Sequence, residues 1–315
     1  MLYSGHMKKY GPYLVFFAAM LWATDAPFRL HLTQALSSNF IVLGEHFVDV
    51  IFILPILILG WRSLKGLTWR QWGSVAFIAI AGSALASVAF TQSFHYVNPS
   101  VAIVLQKLQP LIAITLAALI LKEPLRPRFW LWAAIALIGA YIISFPGLVP
   151  QTYAGDTFNP NITGVALALF AAFCWGASTV FGKFVLRTVD FKMMTALRFC
   201  TAFVFLLLLN WQQQSFPAPG TLTGTDFLFI GIVAIASGVV SLFIYYKGLQ
   251  TTQASVATLA ELGFPMAAIF INWIFIPGGA LVPMQLVGVA ILLIAVYGLA
   301  GYNREVPDVK VLAVS

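Results

Sequence analysis

Charge is what this chain has least of. Of its 315 residues only 9% are Asp, Glu, Lys or Arg, against 61% hydrophobic residues, and the mean hydropathy is +0.93. So little polar surface cannot cover a soluble globule, so the composition is that of an integral membrane protein. The formal net charge of +7 would suggest nucleic acid in a soluble domain. Here the basic residues fall in short loops between apolar segments, where they orient a chain in a bilayer, and no nucleic-acid partner is expected. Cysteine is equally sparse: Cys174 and Cys200 both lie in apolar segments, which gives no support for a disulfide framework or a paired-cysteine metal site. The sequence has no phosphate-cradling glycine loop, no nucleophile elbow and no metalloprotease histidine pair. No linker is long enough for a soluble nucleotide-binding domain. Neither a catalytic site, a resident metal nor a cofactor is expected.

What the chain does have is apolar runs of about 20 residues, the length that crosses the hydrocarbon core. Ten are present, at 11–30, 40–60, 71–93, 99–121, 128–146, 162–186, 192–210, 226–247, 254–276 and 283–302. The first lacks a small-residue cleavage site and reads as a retained span, not a signal peptide. With the N-terminus in the cytoplasm, Lys8, Lys9, Arg62, Lys65, Arg70, Lys122, Arg126, Arg128, Arg187, Lys192, Arg304 and Lys310 all fall on the inner side, and the outer loops hold little beyond Arg29. The positive-inside rule therefore predicts a multi-pass protein with both termini cytoplasmic; residues 303–315 form a cytoplasmic tail.

The runs repeat. Gly11 to Trp22 (GPYLVFFAAMLW) aligns with Gly164 to Trp175 (GVALALFAAFCW) at a shift of 153, and Ser100-Val101-Ala102 and Pro110 align with Ser255-Val256-Ala257 and Pro265 at a shift of 155. At that shift Gln106 falls opposite Glu261. Each half holds five spans, an odd number, so the second half enters the membrane from the opposite face. The predicted fold is all-α, ten transmembrane helices in two five-helix inverted-topology repeats, residues 11–146 and 162–302. Secondary transporters are often built this way, with the substrate near the midplane between repeats.

The ten-span plan, the small- and Trp-bearing first span of each half, Asn98-Pro99-Ser100 and Gln253-Ala254-Ser255 opening spans four and nine, the mid-span prolines and Lys122-Glu123-Pro124 after span four resemble the drug/metabolite transporter superfamily, specifically its EamA-type members. The resemblance covers residues 11 to 302 and implies a bacterial inner-membrane carrier that moves amino acids or related small metabolites, usually outward, by alternating access. Two departures stand out. The second half has Pro277-Gly278-Gly279 where the first has Lys122-Glu123-Pro124, and span two carries Glu45, His46 and Asp49 where the second half has Arg198-Phe199.

Those charges are the candidate site. Glu45 and Asp49 are four apart and so share one helix face; they either meet water near the outer interface or line a cavity as proton or substrate-amine ligands. His46 points about 100° away, which disfavours a metal. Lys107 lies about 12 Å from the outer side, at a depth comparable with Glu45 and Asp49 at about 9 and 15 Å. It either locks helices through those acids or receives an anionic substrate group. Arg198 and Glu261 reverse the arrangement from the cytoplasmic side, as a second substrate contact or a helix-locking ion pair. Pro110 and Pro265 remove backbone hydrogen bonds inside apolar helices and are the candidate gating bends. Trp22 and Trp175, at repeat-related positions, are candidates for an apolar wall. Asp25-Ala26-Pro27 is a candidate helix break, and Gln92, His95 and Asn98 are mouth residues. One buried cation beside two acids fits a zwitterion better than a phosphorylated metabolite, which would meet several cations. The expected partners are thus an amino acid-like small molecule, coupling protons and lipid, and a homodimer is compatible with the sequence. A channel, a membrane-embedded enzyme or a structural protein are the readings from other classes.

Overall fold

The computed structural model describes residues 2–93, 96–97, 105–106, 108–145, 147–148, 162–275 and 281–305, with the side chains of 2–9, 26, 30 and 272 left out. Lys107, His95 and Asn98 therefore lie outside the described residues, and so do Pro99 and Ser100. The described chain is helical throughout, without strands. Its elements are α1 (Leu2–Trp22), a 3-10 turn (Ala23–Asp25), α2 (Ala26–Leu32), α3 (Ser38–Gly60), α4 (Trp69–Phe77), a π-helical segment (Ile78–Leu85), α5 (Ala86–Ser93), α6 (Gln109–Ile120), α7 (Pro127–Ser144), α8 (Ile162–Val185), α9 (Phe191–Gln213), α10 (Gly224–Val233), a second π-helical segment (Ala234–Val240), α11 (Ser241–Thr251), α12 (Ala254–Ala260), α13 (Gly263–Phe275) and α14 (Pro283–Glu305). Among the described residues, eight helical runs are long and apolar enough to cross a membrane, and α6 is a shorter apolar helix. The protein is a multi-pass membrane protein.

Local sequence explains where the helices start, and the same devices recur. Ser37 accepts a hydrogen bond from Phe40 N at the start of α3, and 153 positions later Asp190 accepts one from Lys192 N at the start of α9. Thr68 and Gln71 form a capping box ahead of α4, and 155 positions later Thr223 and Asp226 form another ahead of α10. Each satisfies amide donors that a helix start leaves orphaned. Each boxed helix then runs into a π-helical segment, Ile78–Leu85 and Ala234–Val240. Such widened turns shift the hydrogen-bond register and are frequent at functional sites.

Packing follows side-chain size. The buried faces are rich in alanine, such as Ala18, Ala19, Ala168, Ala171 and Ala172, while Leu59, Phe227 and Tyr297 point outward to face lipid. Helix α7 lies along α14, where a Cβ on Gly288 would sit 2.9 Å from Gly139 O; only glycine permits that approach. The pair is antiparallel: Arg128 at the start of α7 bonds Glu305 at the end of α14 (2.9 Å), and Gln285 at the start of α14 bonds Ile143 O (3.2 Å). Helices α3 and α9 are also antiparallel, with Asn39 bonding Gln213 at one end and Gly60 closing on Met193 at the other. Helix α1 packs on α11 and α13, and α8 packs on α5 and α6.

Several apolar runs are less continuous than their composition predicts. The run 11–30 is interrupted by the 3-10 turn Ala23–Asp25, after which Pro27 occupies the first turn of α2. The run 254–276 breaks between α12 and α13.

Candidate functional site

The break in the last of those runs has a cause in one residue. Pro265 has no N–H to offer the carbonyl four residues back, that of Glu261. That carbonyl instead accepts from Phe264 N (3.0 Å), and Leu262 N turns back to Leu259 O (3.2 Å). Glu261 therefore ends α12, with its side chain aimed into the bundle and 8% exposed. Pro110 stands in the same relation to Gln106. It lies in the first turn of α6, Leu108 N bonds Leu105 O (3.1 Å), and Gln106 Oε1 is buried with no hydrogen-bond partner among the described residues. The two expected bends are thus helix interruptions, each four residues beyond a buried polar side chain.

Around Glu261 gathers a neutral polar cluster from four further helices. Oε2 accepts from Gln109 Nε2 (2.8 Å), and Oε1 accepts from the Tyr245 hydroxyl (2.8 Å) and the Thr179 hydroxyl (3.1 Å). Thr179 and Tyr245 also touch each other at 2.9 Å. The Trp22 ring packs at a tilt against Tyr245, with centroids 5.2 Å apart, and donates its indole N–H to Ser241 (2.9 Å). Trp175 lies one turn from Thr179 on α8, with its ring against Phe90 at 5.2 Å. Sequence reasoning had Glu261, Trp22 and Trp175 but missed Thr179 and Tyr245 as members of one site. Hydroxyls on apolar helices read as packing groups. The available signal was Pro265, which turns Glu261 from a mid-helix residue into the end of a helix fragment.

Arg198 does not pair with Glu261. Its Nε donates to Ser83 in the first π-helical segment (2.5 Å) and its Nη1 donates to the Tyr246 hydroxyl (2.9 Å). Asp49 makes the reciprocal contact: it is 1% exposed and lies against Gly238 in the second π-helical segment, where a Cβ would collide with its carboxylate. One buried charged side chain of each span-two-type helix, Asp49 on α3 and Arg198 on α9, thus presses on the widened turn of the other half. Asp49 Oδ1 is buried without a hydrogen-bond partner among the described residues.

Glu45 pairs with Arg29. The guanidinium Nη2 lies 3.0 Å from Glu45 Oε2 and Nε lies 3.0 Å from Asp25 Oδ2. Arg29, expected in an outer loop, belongs to α2, and the 3-10 turn at Ala23–Asp25 swings it over α3. His46 Nδ1 donates to Val42 O (2.9 Å) and its ring meets Phe199 edge-on at 5.4 Å, so it is packed within the bundle. Among the described residues no three His, Cys, Asp or Glu side chains are grouped closely enough to hold a metal ion.

At the end of the bundle that carries Lys122, Arg126 and Arg128, Glu123 reaches from the first half to the start of α12. Its carboxylate accepts from Ala254 N (2.7 Å), Ser255 N (3.0 Å) and Ser255 Oγ (2.6 Å). A carboxylate on the amides of a helix start suits both the orphaned donors and the helix dipole. Nearby, Lys183 donates to Leu249 O and Gln250 O at the end of α11 (3.0 and 2.9 Å), and Asn303 bridges Gln253 N and Thr251 O (2.9 and 3.0 Å).

Comparison with known proteins names the assembly. The sequence profile of the EamA-like transporter family matches residues 9–145 and again residues 162–301. The chain belongs to the EamA-like transporter family. The transporter is 29% identical over 306 residues to riboflavin transporter ImpX of Fusobacterium nucleatum, covering 95% of this chain and all of that protein. It is 24% identical to protein PecM of Dickeya dadantii, covering 92% of this chain and 93% of the relative. A solved crystal structure, 16% identical, matches with a TM-score of 0.73 over 92% of this chain and 96% of that one, which is a likeness of fold alone.

Proposed function

We propose that the transporter is a secondary carrier of the bacterial inner membrane. It has ten spans in two inverted-topology halves, 11–146 and 162–302, both termini in the cytoplasm, and works by alternating access coupled to protons. The antiparallel contact of counterpart helices (α3 with α9, α7 with α14) and the recurrence of caps and π-helical segments support the inverted repeat. We further propose that its substrate is a planar, hydrogen-bonding aromatic metabolite of the flavin type. The carrying observation is the cluster of Trp22, Tyr245, Gln109 and Thr179 around Glu261, where aromatic faces and neutral polar groups meet at a helix interruption. Flat rings with amide edges suit stacking on aromatics and bonding to such groups. The full-length similarity to a riboflavin transporter supports the same class.

Export of amino acid-like zwitterions is the second reading. It is favoured by Asp49, whose buried oxygen has no hydrogen-bond partner among the described residues and could receive an ammonium. It is weakened because Glu45, the other acid expected to serve that role, already pairs with Arg29. In both readings Lys107, adjoining Gln106 in sequence, supplies the cation.

Proteoliposomes holding the purified protein separate the two. Saturating counterflow of labelled riboflavin, lost in Lys107→Ala and Tyr245→Ala, is the expected result. Flux of amino acids without flux of riboflavin would turn the assignment to the second reading, and linear, non-saturating flux would indicate a channel.

A further inference from the structure

We infer that Glu261, Tyr245 and Thr179 form the proton-binding site of the transporter, with Glu261 carrying the proton on Oε1. This rests on the carrier reading above, and it names the group through which proton coupling passes.

Hydrogen counting carries the inference. Glu261 Oε1, Tyr245 Oη and Thr179 Oγ1 form a triangle with sides of 2.8, 3.1 and 2.9 Å. Each side is a hydrogen-bond length and each needs one hydrogen. The two hydroxyls supply two hydrogens, and an ionised carboxylate supplies none. Thr179 Oγ1 also lies 3.3 Å from Trp175 O, a further acceptor competing for the same hydrogens. A proton on Oε1 completes the triangle. It also leaves Oε2 as a carbonyl-type acceptor for the single donor that reaches it among the described residues, Gln109 Nε2 at 2.8 Å.

The charge surroundings agree. No basic side chain among the described residues lies within 4.0 Å of Glu261, although unpaired carboxylates inside a membrane are costly. The described helices packed around it carry Tyr245, Tyr246 and Lys247 on α11, Lys192, Arg198 and Cys200 on α9, Cys174 and Lys183 on α8, Tyr10 and Tyr13 on α1, and Tyr297, Tyr302, Arg304 and Glu305 on α14. Of these only Tyr245 touches the carboxyl group. Arg198 acts at longer range, with Nε and Nη1 engaged by Ser83 and Tyr246, and Lys183 is bonded to the carbonyls ending α11.

The step is a simple exchange. A proton from water on one side binds Glu261 Oε1 and closes the triangle; its release to water on the other side leaves an anion that draws both hydroxyl hydrogens to itself. The Thr179–Tyr245 side then has no hydrogen and opens. Because Glu261 sits at the interruption ahead of Pro265, that opening acts on the junction of α12 and α13.

Infrared difference spectra of the purified protein between acid and alkaline buffer test the site without any substrate, so they stand or fall apart from the substrate assignment. The expected result is a protonated-carboxyl C=O band in the wild type, absent in Glu261→Gln and shifted in Tyr245→Phe. No such band in the wild type, or an identical band in Glu261→Gln, overturns the inference. Should Glu261→Gln fail to fold, Tyr245→Phe and Thr179→Val decide it: a band that neither change shifts places the proton elsewhere. Coupling is then read in proteoliposomes, where an imposed proton gradient is expected to drive riboflavin accumulation in the wild type and not in Glu261→Gln. Equal accumulation in both would also overturn it.

Discussion

Arg29 is the residue whose place depended most on the fold. In sequence it is one more basic residue after an apolar run; in three dimensions it is the counter-charge of Glu45, held by Asp25 as well. A buried ion pair that loses one partner leaves an uncompensated charge, at a cost of about 3 to 5 kcal/mol. Arg29→Ala is therefore expected to lower the unfolding temperature in detergent markedly, and Arg29→Ala combined with Glu45→Ala to recover most of that loss. A double variant no more stable than the single one would remove the pair from the stability of this end of the bundle. The same scale shows where sequence reading ran out. Glu45, Asp49, Arg198 and Glu261 stood out in the sequence, because charge inside apolar helices is rare. Their partners were not, because a side chain two turns of chain away and one across the bundle look alike in a one-dimensional pattern. Arg198 faces Ser83 and Tyr246, neither of which carries a charge that could have announced it.

At the scale of elements, the helices themselves were legible and their interruptions only partly so. Proline marked the breaks at Pro110 and Pro265 correctly, since the missing amide acts locally. The π-helical segments Ile78–Leu85 and Ala234–Val240 carry no such marker, and their composition of alanine, glycine and serine says only that helices approach closely there. Gly238 lies under the Asp49 carboxylate, so Gly238→Ala is expected to displace Asp49 and to reduce transport at least tenfold with little change in expression. Wild-type flux in that variant would make the contact incidental. A second element-scale expectation concerns the helix start held by Glu123. Glu123→Ala removes acceptors from three donors and is expected to cost about 1 to 2 kcal/mol of stability, with Glu123→Gln recovering part; thermal unfolding of the two variants measures both.

For the whole molecule, the duplication was visible in the sequence because equivalent positions keep equivalent caps and prolines at nearly constant shifts. What remained invisible was how closely counterpart helices embrace, since antiparallel contacts such as Asn39 with Gln213 and Ile143 with Gln285 join residues far apart in the chain. Orientation can be tested with single cysteines in a background lacking Cys174 and Cys200. A membrane-impermeant maleimide added to intact cells is expected to label Ala218→Cys, after the seventh span, and to leave Ser63→Cys, after the second, untouched. Labelling of both or of Ser63→Cys alone would break the proposed topology.

The carboxylate of Glu123 has a consequence at the largest scale. It ties the first half to the second at one mouth of the bundle, while the positions that correspond to it in sequence, Pro277, Gly278 and Gly279, include no carboxylate. On the proposed inverted repeat the helices are two-fold, but the Glu123 latch has no counterpart in the sequence of the second half. Since about 1.4 kcal/mol is a tenfold ratio of populations, even one of these hydrogen bonds is enough to make the two closed forms unequal before any solute arrives. On the proposed topology and alternating access, the carrier at rest waits with its cytoplasmic mouth shut and its outer mouth the easier to open, so a solute arriving from outside finds the door already ajar, whereas one arriving from within must first break the latch.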